Sequence, residues 1–138
     1  MLNPKFATAI NCIDGRAQTP VRDWMRLHLN VEFIDVITEP GADFILTQGA
    51  SHVIQAIQEK VARSISFHDS NTVAVVGHHD CLANPVSKER HYEYIKAGVA
   101  VVRNWGLQVQ VIGLWVNEYN WVDVVCDTKA SLAGYTGF

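Results

Sequence analysis

The chain has no long apolar run: its longest uninterrupted stretches, such as Val73–Val76 and Val99–Val102, fall far short of the ~20 residues that cross a bilayer. No membrane partner is expected. Near the amino terminus, Phe6–Ile10 is followed at once by Asn11, Cys12 and Asp14, which leaves no apolar region for a secretory leader and points to a soluble, cytoplasmic protein. Charge of one sign is also lacking, since 11 basic and 14 acidic side chains give a net charge of −3. Without a basic field, a nucleic-acid partner is excluded. Neither Gly-x-Gly-x-x-Gly nor Gly-x4-Gly-Lys follows a strand, so a nucleotide would find no phosphate cradle. Cysteine is scarce and odd in number, with three residues in all. That is no disulfide framework, and it leaves each thiol to be a packing residue, a nucleophile or a metal ligand.

What is present is enough to fold. Apolar residues make up 49% and charged residues 18% of 138 positions, a length at which one domain, residues 1–138, is expected. Apolar, β-favouring runs at Phe6–Ile10, Phe33–Ile37, Thr72–Val76, Gln108–Trp115 and Trp121–Val125 are candidate strands. Thr19-Pro20, read as a cap and a first helical proline, opens a helix carrying Val21, Trp24, Met25 and His28. A second stripe runs from Ala50 to Ile65 through Val53, Ile54, Ile57 and Val61. Ser87 caps a third helix bearing Tyr92, Ile95, Val99 and Val102, with Arg103 in its last turn and Gly106 beyond.

This alternation predicts an α/β fold: a three-layer domain with a mainly parallel sheet and helices on both faces; the order taken for that sheet is 2-1-3-4, in which strands 1 and 3 are neighbours. The link Val116–Asn120 is too short for a crossover, so the fifth strand is expected to return antiparallel at the edge. In such sheets ligands bind beyond the carboxyl ends of the strands, where the order reverses. There the first strand runs into Asn11-Cys12-Ile13-Asp14-Gly15-Arg16 and the third into Gly77-His78-His79-Asp80-Cys81.

Two thiols, an imidazole and an Asp/Arg pair therefore converge. Cys12, His78 and Cys81 form a Cys2His set that suits Zn2+ with one position open. Asp14 is placed to accept a hydrogen bond from a zinc-bound water or to take the fourth position itself, and the planar fork of Arg16 suits it to orient that carboxylate. The residues alone leave two other readings open: a hydrolase with Cys12 or Cys81 as nucleophile activated by His78, and a non-catalytic zinc module.

These two motifs resemble the Cys-x-Asp-x-Arg and Gly-His-x-x-Cys motifs of the β-class carbonic anhydrases, and Val111–Val116 resembles that family's fourth strand. The resemblance implies zinc on Cys12, His78 and Cys81, an Asp14–Arg16 dyad, and reversible hydration of carbon dioxide to bicarbonate by zinc-activated water. Carbonyl sulfide and carbon disulfide are sibling substrates under the same resemblance, and a homodimer or higher homo-oligomer is the implied assembly. The chain departs from the family at Leu82-Ala83-Asn84-Pro85, where a glycine is usual, and at Thr38-Glu39-Pro40-Gly41-Ala42.

The remaining candidates are assigned ordinary roles. Cys126, with no His or Asp cluster beside it, is read as a packing thiol. His28, His52, His68 and His91 are read as surface or half-buried residues, and Trp105, Trp115 and Trp121 as packing residues. Asp80 is read as a brace for its turn. His79 is the candidate proton shuttle, because imidazole exchanges protons around neutral pH.

Overall fold

A computed structural model describes residues 3–128. β1 (Phe6–Asn11) runs parallel to β2 (Phe33–Thr38) on one side and to β3 (Thr72–His78) on the other. β4 (Gln110–Val116) continues in parallel beside β3, and β5 (Val122–Thr128) returns antiparallel to it. The order is β2-β1-β3-β4-β5, which matches the expected order 2-1-3-4 with a fifth, antiparallel edge strand.

Alternate strand residues bury into two separate cores. On one face Ile10, Ile37, Val73, Val75 and Val111 pack against α2 (Ala42–Gln48), α3 (Ser51–His68) and α4 (Lys88–Arg103). On the other, Ala7, Ala9, Ala74, Val76, Ile112 and Leu114 pack against Val21 and Met25 of α1 (Gln18–Leu29). Burial on both faces explains why β3 reads as an unbroken buried run and shows no alternation.

Several boundaries differ from the sequence reading, each for a local reason. Thr19 is not the cap of α1. Asp14 instead caps a 3-10 turn, Gly15–Ala17, that leads directly into a helix starting at Gln18. Pro20 then falls at the third helical position, where a missing N–H leaves no helical bond unmade. β3 extends two residues past Val76, so His78 sits on the strand itself. β4 starts at Gln110, since Gln108 takes a left-handed φ of 58°. α2 is a helix that the sequence reading did not include.

Candidate metal centre

The parallel pairing of β1 with β3 brings their carboxyl ends side by side, and the two motif-bearing turns leave the sheet together. Cys12 follows β1 directly, His78 is the last residue of β3, and Cys81 lies three residues on. All three are buried, and one ligand atom from each lies within 4.8 Å of the other two. The two sulfurs are 4.0 Å apart.

The ring of His78 is held in one orientation. Its Nδ1 lies 2.8 Å from the carbonyl oxygen of His79, an atom that only accepts, so Nδ1 carries the proton and donates it. Nε2 is thereby left with its lone pair, and it is buried with no hydrogen-bond partner among the described residues. A buried, orphaned acceptor is costly unless a ligand meets it. A backbone carbonyl on the far nitrogen is also the usual way a zinc-binding imidazole is fixed.

The thiols are electrostatically unequal. The hydrogen bond from Cys81 pushes the pKa of Cys12 down against the opposing effect of burial, with further help from His78 and from the Gly41 N–H, which lies 3.5 Å from Cys12 Sγ. The same Cys12 contact, together with burial, pushes Cys81 up. Burial opposes charge on His78, but the neighbouring Cys12 thiolate and the His79 carbonyl outweigh it and raise its pKa. Two thiols, one of them ready to ionise, and a free imidazole nitrogen are a donor set that fits Zn2+.

Asp14 stands beside this group and outside it, held by Arg16. The guanidinium donates Nε–H to Oδ1 at 3.1 Å and Nη2–H to Oδ2 at 2.6 Å, and the Arg16 backbone N–H reaches Oδ1 at 2.9 Å. These side-chain bonds, then the backbone bond, hold the Asp14 carboxyl well below the usual carboxylate range. Arg16 also donates to Asp80, at 3.1 Å to Oδ2 and 3.1 Å to the backbone oxygen. It thus ties the turn after β1 to the turn after β3, and Asp80 braces its turn as expected.

Two recesses flank the cluster. A cleft of about 240 Å³ is lined by Cys12, Ile13, Asp14, Pro40, Leu82 and Ala83. A much smaller recess is lined by Arg16, His78, His79, Val116, Asn117 and Asn120. The half-buried His79 lies at the second, its N–H bonded to the Val116 carbonyl at 2.9 Å.

Other residues need correction. His91 is not a surface residue: it is buried in α4 and paired with the equally buried Asp43 of α2 at 2.6 Å. Trp121 does not pack; it is 72% exposed in the β4–β5 turn. Cys126 packs against the core on the α4 side, as expected of a thiol with no cluster beside it.

A mainly parallel sheet with a switch point, carrying a buried Cys2His group at that point, defines an α/β domain with a metal-capable centre. Residues 2–126 match the family model described as "Putative carbonic anhydrase", and the chain belongs to that family. Among solved structures, a tetrameric β-carbonic anhydrase of the filamentous ascomycete Sordaria macrospora matches with a TM-score of 0.60 and 14% identity, over 91% of this chain and 83% of the other. Isoform I of the β-carbonic anhydrase from the protozoan Trichomonas vaginalis gives a TM-score of 0.58 and 18% identity, over 93% of this chain and 86% of the other. The carbonic anhydrase of Streptococcus mutans gives 0.59 and 16%, over 90% and 84%. At these identities the likeness establishes the fold. Among curated proteins no sequence matches significantly.

Proposed function

We propose that the chain is a zinc-dependent carbonic anhydrase that interconverts carbon dioxide and bicarbonate, with Cys12, His78 and Cys81 holding the metal and Asp14, oriented by Arg16, acting beside it. The observation that carries this reading is the buried three-atom group with His78 Nε2 unpartnered in its midst. When bound, zinc supplies an acidified water, so that hydroxide is available near neutral pH.

The chain's own residues supply orientation. An ionised Asp14 only accepts hydrogen bonds, so a water or hydroxide beside it directs its O–H to the carboxylate and a lone pair away, toward the substrate carbon. Arg16 keeps both Asp14 oxygens engaged, which fixes the carboxylate in place and keeps it charged. The cleft beside Cys12 is walled by Ile13, Pro40, Leu82 and Ala83, a lining that suits a small uncharged substrate. His79, at the smaller recess, is the candidate for passing the released proton to buffer.

Self-association belongs to the same proposal. Leu82 is 84% and Ile13 59% exposed on the rim of the cleft, and apolar side chains so placed favour a second copy of the chain as cover.

Metal analysis tests the reading against a cysteine nucleophile. One zinc per chain, lost in Cys12→Ser, His78→Ala and Cys81→Ser, is expected; a zinc-free chain that is alkylated at Cys12 with loss of a hydrolytic activity would favour the nucleophile.

A further inference from the structure

The buried pair of Asp43 and His91 has no part in the chemistry above, yet Asp43 lies where all three ligand-bearing segments meet. Asp43 and His91 side chains are each 2% exposed, and Nδ1 of His91 donates to Asp43 Oδ2 at 2.6 Å. The other oxygen, Oδ1, accepts from the Asn84 side chain at 3.2 Å and from the Phe44 N–H at 2.9 Å. A buried carboxylate needs this many donors, since without them its burial would be strongly unfavourable.

Each ligand is reached by a short path. Asn84 also donates its backbone N–H to the Cys81 carbonyl at 3.2 Å, so Asp43 grips the turn that carries Cys81. Two residues before Asp43, Gly41 aims its N–H at Cys12 Sγ; it holds a left-handed φ of 67°, and a Cβ there would lie 3.3 Å from Ala83. Gly77, the residue before His78, lies so close that a Cβ on it would meet Asp43 Oδ2 at 2.9 Å. Behind the pair the Trp115 ring, 5.1 Å from that of His91, closes the site from the sheet side.

We infer that Asp43, fixed by His91 and linked to Cys81 through Asn84, is the positioning residue that sets the spacing of Cys12, His78 and Cys81 for a metal ion. This rests on the metal reading above. Residues that hold ligands in place typically change metal affinity about 10–100-fold when removed, and they also alter the ligand field.

The test is zinc affinity by chelator competition, together with the absorption spectrum of the Co2+-substituted protein, on the full chain. Asn84→Ala cuts the link to the Cys81 turn and leaves the Asp43–His91 pair intact. It is expected to keep the native circular dichroism, weaken zinc at least about 10-fold and shift the Co2+ bands. His91→Leu should do the same or more. His91→Asn, whose amide nitrogen stands near the Nδ1 position, should restore most of the affinity. If His91→Leu does not fold, Asn84→Ala alone decides. A folded Asn84→Ala with wild-type zinc affinity and an unshifted Co2+ spectrum overturns the positioning role while leaving the metal site standing. A wild-type chain that takes up no zinc overturns the metal reading, and the positioning role with it.

Discussion

Two of the three cysteines face each other across the switch point and the third does not, and their environments differ accordingly. Cys12 and Cys81 lie with their sulfurs 4.0 Å apart beside the buried imidazole of His78. Cys126 sits on an edge strand with its pKa raised, chiefly by burial. Its native form binds a proton more tightly than the unfolded chain does. Stability from this thiol is therefore fully present below its ordinary value of 9.0 and declines as the pH rises above it. Urea denaturation at about pH 8 and about pH 10 should show a fall in midpoint that is shallower in Cys126→Ala; equal slopes would contradict the assignment. At this scale the metal-capable group of Cys12, His78 and Cys81 was legible, because Cys12-x-Asp14-x-Arg16 and His78-x-x-Cys81 are short spacings that one turn each can present. Asp43, His91 and Asn84 were not. Their hydrogen bonds join residues 41 and 48 positions apart, and no local pattern marks a polar side chain whose partner lies on another helix.

Among the elements, the long periodic helices and the β-rich runs were readable and the short helix was not. α2 has only seven residues and no side-chain cap at its start, and Gly49 separates it from α3. Its sequence carries under two full turns of periodicity, too few to distinguish a helix from a loop. Its existence depends on the contact that Asp43 and Leu46 make with the core. α4 is the opposite case, with its cap evident in the sequence: Ser87 accepts a hydrogen bond from the Arg90 N–H at 3.1 Å. Ser87→Ala should lower the unfolding free energy by about 1 kcal/mol without changing zinc content, as read by urea denaturation and metal analysis. A loss of zinc in that variant would mean that the Ser87 cap is itself needed to hold His91, four residues on, against Asp43.

For the molecule as a whole, strand–helix alternation with one short final link indicates a mainly parallel sheet with an antiparallel edge, and the order of strands within it places β1 and β3, and with them the two motifs, side by side. The sheet order thus brings a metal-capable group together from residues 69 positions apart. The exposure of Ile13 and Leu82 bears on assembly at the same scale. Sedimentation velocity should give a species of at least twice the 15.4 kDa chain, and Leu82→Asp should shift it toward monomer; a wild-type monomer at micromolar concentration would contradict the assembly. The most direct measurement is stopped-flow hydration of carbon dioxide by the zinc-loaded chain beside its Asp14→Asn variant. Hydration well above the buffer rate, reduced at least about 100-fold in Asp14→Asn with zinc retained, is the predicted result. A zinc-loaded wild-type chain no faster than buffer would contradict the proposed activity.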